Sequence, residues 1–219
     1  MIRVQEIEGP TPSCPTNSNG PIAHLVERVI RIDEVAGSNP AGSTVNYKNI
    51  ELKKYDLNWP ILFKKEKENI EKYLEGLTVE HIGSTAVPGL SAKSVIDMMA
   101  SIDNLEDFEK YLQPLKNLGY QYHAEIEKET PDRKFFQRRI IDAPWFHLSL
   151  AQIDSVFWID HILFRDYLRT HPEALAEYET LKEKLATKHV TDFGKYNSDK
   201  TEFITSIIQK AKSKIHNSK

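Results

Sequence analysis

From residue 58 onward the apolar positions follow two periods. Ile61, Leu62, Phe63, Ile70, Tyr73 and Leu74 recur at helical spacing with Lys and Glu between them, which predicts an amphipathic helix. Asn58-Trp59-Pro60 reads as its start, with Asn58 as N-cap and Pro60 in the first turn, and Gly76 suits its end. Thr78–Ile82 and the nearly all-apolar Val95–Ser101 read as strands, the second central, joined by a loop over Gly83–Ser94 that contains the turn dipeptide Pro88-Gly89. Asn104–Leu118 is a second helix, stopped by Gly119. Tyr120–Ile126, Lys134–Ile141 and Trp145–Ile153 are read as three further strands. Ser155–Arg169, Pro172–His189 and Asp199–Lys214 then read as helices. The order α-β-β-α-β-β-β-α-α-α predicts an α+β domain, a mixed sheet flanked by helices with a helical C-terminal part.

This patterning begins abruptly. Residues 1–46 hold five of the eleven prolines, four of the nine glycines and the only cysteine, Cys14, but none of the 21 aromatic residues. A segment without aromatics contributes little to a core. Gly20–Thr44, GPIAHLVERVIRIDEVAGSNPAGST, resembles a translated tRNA gene: AHLVE corresponds to the D-arm and GSNP to the T-arm, in the right order. Residues 1–46 are therefore expected to be a disordered extension, or to reflect a start placed too far upstream. Residues 47–219 are expected to form the single working domain.

Composition narrows the function. The 219 residues carry a net charge of −3, with a pI near 6.3. No global field is present to attract nucleic acid or an anionic membrane, which argues against either as the main partner. No apolar run approaches the roughly 20 residues that a membrane helix needs, and no signal-peptide layout is present, so a cytoplasmic location is expected. A lone cysteine excludes an intrachain disulfide and a Cys-based metal site.

The chemistry concentrates in Val79–Met99, VEHIGSTAVPGLSAKSVIDMM. Gly83 lets a phosphate approach backbone N–H groups, and Ser84 and Thr85 add hydroxyl donors. Asp97, on an apolar strand, is placed to hold a divalent metal, Mg²⁺, beside the phosphates, with Lys93 as a nearby point charge. HIGSTAVPGLSAKSVID, with YDLNWPILF before it and FRDYLRTHPEALAEYETLK after it, resembles the GrpB family over roughly residues 48–210. The resemblance implies a nucleotidyltransferase-like fold and a Gly-Ser loop facing an Asp on the next strand. Related domains fused to dephospho-coenzyme A kinase point to nucleotide or coenzyme metabolism.

The sequence departs from active nucleotidyltransferases at one telling position. Their second carboxylate, two residues after the first, is replaced by Met99, and a thioether is a poor Mg²⁺ ligand. Glu80 is the candidate replacement. His81 beside it faces the other side of the strand. Among Arg133, Lys134, Arg138 and Arg139, a basic strand face with Arg138 is expected to balance phosphate charge, or to protect an edge strand. The family's usual His-x-His appears here as His147-Leu148-Ser149, leaving His147 either catalytic or structural. Arg165 and Asp166 either contact the site or pair with neighbouring turns, and Tyr196 and Lys200 are weaker candidates for contact with a base or sugar.

The expected function is binding of a nucleotide or coenzyme-like small molecule with Mg²⁺, with possible transfer of a nucleoside monophosphate to an acceptor that the sequence does not name. Gly83, Ser84, Thr85, Lys93 and Arg138 would hold phosphate, Asp97 and Glu80 metal, and Asp97 and His147 would be catalytic. The alternative is a non-catalytic nucleotide-binding or scaffold module with a degenerate site. Oligomeric state is not legible.

Overall fold

The computed structural model describes residues 49–217 other than 129, 141 and 142. Helix α1, Asn58–Tyr73, is started by Asp56, whose Oδ1 accepts the Asn58 N–H at 2.8 Å and whose carbonyl accepts that of Trp59. The N-cap position is thus Leu57, one residue before the expected Asn58, with Asp56 supplying the accepting side chain. Strand β1, Val79–Ile82, follows, then a 3₁₀ turn at Ser84–Ala86 and strand β2, Val95–Ile102. Helix α2, Glu109–Asn117, leads to the short β3, Gln121–Tyr122, then β4, Arg133–Arg138, and β5, Trp145–Gln152. Four helices end the chain: α3, Val156–Thr170; α4, Pro172–Lys188; α5, Phe193–Ser198; and α6, Thr201–Asn217.

The five strands form one mixed sheet in the order β1-β2-β5-β4-β3, and the fold is α+β. Only the central β2–β5 pair is parallel, aligning Asp97 with His147 and Met99 with Ser149. A parallel pair needs a crossover, supplied here by α2, β3 and β4. One sheet face packs on α1 and α2 through Trp59, Ile70, Ile96, Met98, Leu115, Phe146 and Leu148. On the other face, Ile82, Met99 and Ala151 meet Trp158 of α3. Helices α3, α4 and α6 build a second apolar centre with Val87 and Leu90, which anchors the loop between β1 and β2 to the C-terminal helices.

Four elements differ from the sequence reading. The helix expected over Asn104–Leu118 is α-helical only over Glu109–Asn117, after a 3₁₀ segment at Leu105–Phe108. The strand expected over Tyr120–Ile126 pairs only at Gln121–Tyr122. The chain then turns into a 3₁₀ helix, Ala124–Lys128, which tucks Ile126 against Phe135. The extra helix α5 precedes α6, because Asp192 caps it by accepting the Lys195 N–H. Strand β4 begins one residue early and ends at Arg138. The end expected for it, Ile141, lies outside the described residues, as do Cys14, the tRNA-like stretch and the whole of 1–46. Among the described residues, no helix is long and apolar enough to cross a membrane.

Candidate functional site

Gly83 ends β1 with φ 70° and ψ −172°, a region that essentially only glycine occupies. Space requires glycine here as well. A Cβ at this position would lie 2.6 Å from Asp97 Oδ2 and 3.0 Å from Asp97 Cβ. The Gly-Ser turn and the Asp of the next strand are therefore in direct apposition, with Oδ2 aimed at the turn. Ile82 is the register partner of Asp97, so the antiparallel β1–β2 hairpin itself creates this closeness.

The other carboxylate oxygen is held from β5. His147 Nδ1 lies 3.1 Å from Asp97 Oδ1, and His147 Nε2 lies 2.9 Å from Gln137 Nε2 of β4. Arg139 Nε donates to Gln137 Oε1 at 3.0 Å, which orients the amide so that its NH₂ faces the imidazole. His147 therefore accepts at Nε2 and donates from Nδ1. Burial pushes its pKa down, against the pull of Asp97 and with help from Lys93 and Arg133. His147 is 3% exposed with both ring nitrogens engaged, so it supports Asp97 rather than facing a substrate.

A small cavity of about 30 Å³ lies beside Asp97, lined by Ser84, Lys93 and the buried Lys182, Tyr196 and Lys200 among others. Tyr196 sits between two ammonium groups, with Lys200 Nζ 4.3 Å and Lys93 Nζ 5.6 Å from its ring centroid. Lys182, only 2% exposed, donates to the Ser91 carbonyl, while Glu179 accepts the Ser91 N–H at 2.9 Å. Helix α4 thus clamps the stretch that carries Lys93. Three lysines and the Ser84 hydroxyl thus line the cavity beside the Asp97 carboxylate.

Several sequence candidates land elsewhere. Thr85 borders the cleft, but its hydroxyl donates to the Val95 carbonyl and accepts from His81 Nε2, both at 3.0 Å. It ties the loop down instead of presenting a donor. His81 stacks on Phe63 at 4.5 Å, and burial lowers its pKa to about 3. Glu80 shares the sheet face of Asp97 as register partner of Met99, but Arg165 NH1 holds its carboxylate at 2.6 Å. Arg165 also bonds the His81 carbonyl and Asp166, and Arg169 donates twice to the Ala86 carbonyl. Arg165 thus pairs with strand β1, and Asp166 with Arg165 and Arg169 of its own helix.

Arg138 is not brought to the site. It lies on the opposite face of β4, where NH1 bonds both oxygens of Glu66 at 2.6 and 2.8 Å and Tyr120 Oη donates to the same carboxylate at 2.8 Å. On the Asp97 face of β4, Arg133 bonds Ser149 Oγ at 3.0 Å. Met99 is fully buried. Among the described residues, no group of three or more His, Cys, Asp or Glu side chains could hold a metal ion. Sequence reasoning missed Lys182 and Gln137. Nothing marks Lys182 within a charged helix, whereas Gln137 follows Arg133 and Phe135 at strand period and was reachable in principle.

The site sits in an α+β fold, with a Gly-Ser turn facing an Asp on the interior strand β2. The GrpB protein family profile matches residues 49–210, and the chain belongs to the GrpB family. It is 33% identical over 170 residues to the glutamate-rich protein GrpB of Alkalihalophilus pseudofirmus, covering 75% of this chain and 97% of that one. It is 36% identical over 172 residues to a UPF0157 protein of Pseudomonas aeruginosa, covering 74% of this chain and 67% of that one. The crystal structure of conserved protein GrpB from Enterococcus faecalis superposes with a TM-score of 0.67 at 31% identity, covering 75% of this chain and 99% of that chain.

Proposed function

We propose that the protein binds a nucleotide or a related coenzyme-like polyphosphate in the cleft between the Gly83–Ser84 turn and the lysines of the C-terminal helices. One observation carries this reading: Asp97 Oδ2 points at a turn that a Cβ would fill, in a cleft also lined by Ser84, Lys93, Lys182 and Lys200. Ser84 and the backbone of the turn would receive phosphate and the half-buried Lys93 would offset its charge, with the buried Lys182, Tyr196 and Lys200 behind them.

The residues fit Mg²⁺ in one form only. Asp97 supplies a single hard oxygen, and Mg²⁺ commonly takes one or two carboxylates together with substrate phosphates and water. The ion would therefore arrive with the nucleotide and would supply charge neutralisation there. Asp97 would hold it, and Glu80 would join only after leaving Arg165. Transfer of a nucleoside monophosphate is the catalytic version of this reading.

The buried Met99 and the Arg165-bound Glu80 favour a second version, a nucleotide-binding module without turnover, since a two-metal site needs a second carboxylate. Calorimetry with ATP, GTP and CTP, each with and without Mg²⁺, tests the shared reading. Mg²⁺-dependent binding lost in Asp97→Ala and weakened in Lys200→Met is expected. Absence of binding to the wild type, or unchanged binding in Asp97→Ala, overturns it. Incubation of the bound nucleotide with release of pyrophosphate then separates transferase from binding module.

A further inference from the structure

We propose that Gln137, braced by Arg139, is the positioning residue of the Asp97 site: it fixes the tautomer of His147 and so turns Asp97 Oδ2 toward the Gly83 turn. Three hydrogen bonds run in one direction. Arg139 Nε donates to Gln137 Oε1 at 3.0 Å, Gln137 Nε2 to His147 Nε2 at 2.9 Å, and His147 Nδ1 to Asp97 Oδ1 at 3.1 Å. Polarity is set at the surface end, because a guanidinium can only donate. Gln137 must then present its oxygen to Arg139 and its NH₂ to the imidazole. The imidazole can accept from that NH₂ only at an unprotonated Nε2, which leaves its proton at Nδ1, facing Asp97.

The elements hold this order in place. Gln137 and His147 are register partners across β4 and β5, and His147 and Asp97 across β5 and β2, so the chain follows one rung of the sheet. Gln137 is 6% exposed and His147 3%, so water does not compete for their hydrogen bonds. Phe135 packs edge-on against the imidazole at 5.1 Å and fixes its plane. Arg139 in turn lies 3.8 Å over the ring of Trp145, which holds the guanidinium at the mouth of the sheet. With Oδ1 taken, Asp97 presents only Oδ2 to the turn. Supporting partners of this kind typically change ligand or metal affinity by about 10–100-fold when removed.

The ligand arm of the test rests on the proposed function, and the spectroscopic arm does not. Long-range ¹⁵N–¹H spectra of the full chain, with His147 assigned by His147→Gln, are expected to show a protonated Nδ1 and a bare Nε2. Gln137→Glu puts an acceptor opposite Nε2 and is expected to move a proton there, while Gln137→Leu shifts the Asp97 carboxyl ¹³C signal. Calorimetry with Mg·ATP is expected to show a loss of about tenfold or more in Gln137→Leu, and less than about twofold in Arg138→Met, its neighbour on the other sheet face. A wild-type His147 protonated at Nε2 overturns the proposal, as does a Gln137→Leu affinity no lower than that of Arg138→Met. If the wild type binds no Mg·ATP, the reading of the cleft fails. The positioning role then stands or falls on the tautomer and its response to Gln137→Glu alone.

Discussion

The two faces of the sheet each carry a carboxylate network, buried at Glu66 and partly exposed at Asp97, built partly from adjacent residues of one strand. On the helix-covered face, Arg138 NH1 and Tyr120 Oη make three hydrogen bonds to Glu66, and both oxygens of that carboxylate bond Arg138. On the other face, the chain that begins at Arg139 and passes through Gln137 reaches Asp97 at one oxygen and leaves the second aimed at a glycine turn. A carboxylate whose oxygens are both engaged is a fastening. Asp97, among the described residues, is hydrogen-bonded at Oδ1 alone, and the proposed function assigns Oδ2 to a ligand. Saturation and burial together separate the structural network from the site: the Glu66 side chain is 5% exposed and that of Asp97 24%.

The largest expected break of this contrast is Glu66→Leu. It leaves a guanidinium that is three-quarters buried without its partner. The expected cost is about 3 kcal/mol, at the low end for a broken buried pair because Arg138 keeps some solvent. Urea denaturation checks it, and nucleotide affinity is expected to be unchanged.

Next come two glycines with similar φ. Gly83→Ala and Gly76→Ala both place an alanine at positive φ, at +70° and +85°, but only the Gly83 Cβ meets Asp97, while the Gly76 Cβ meets nothing within 4 Å. A destabilisation of about 1–3 kcal/mol is expected for Gly83→Ala, with about 1 kcal/mol for Gly76→Ala. Calorimetry should find nucleotide affinity lost in the first and kept in the second. Equal affinities would remove Gly83 from the site.

His81 sharpens the contrast through pH. Its pKa is lowered from 6.5 to about 3 by burial, so the unfolded chain binds a proton that the folded one refuses between those values. The contribution of His81 is fully present above pH 6.5 and is lost as pH falls toward 3. The slope is about 1.4 kcal/mol per pH unit at most. His81→Gln, which keeps a donor for Thr85, is expected to flatten that part of a stability-versus-pH curve. The smallest effect is expected for Arg169→Met. It removes two bonds to the Ala86 carbonyl from a partly exposed side chain, costs about 1 kcal/mol, and is read by thermal melting.

Much of this was legible in the chain. The strand–Gly-Ser–strand–Asp layout gave the hairpin, because a glycine followed by two hydroxyl residues interrupts a strand and a lone Asp stands out in VIDMM. Period two also placed Met99 on the face of Asp97, and Glu80 and His81 on opposite faces, which the register confirms. Arg138 misled for a related reason. Alternation tells which residues share a face of β4, but not which face of the finished sheet that is. The cleft lysines were illegible together, since Lys93, Lys182 and Lys200 meet only when α4 and α5 fold back over the β1–β2 loop.

By itself the sequence determined most of the elements, the α+β order and the placing of the Gly-Ser loop between two neighbouring strands, because these depend on periodicity and on turn residues along a continuous stretch of chain. Tertiary structure alone decided which oxygen of Asp97 is taken, which arginine faces the cleft side of the sheet and which charges are already satisfied. Those depend on pairing across β2, β5 and β4, where a shift of one residue would exchange Gln137 for Arg138 and turn the site inside out.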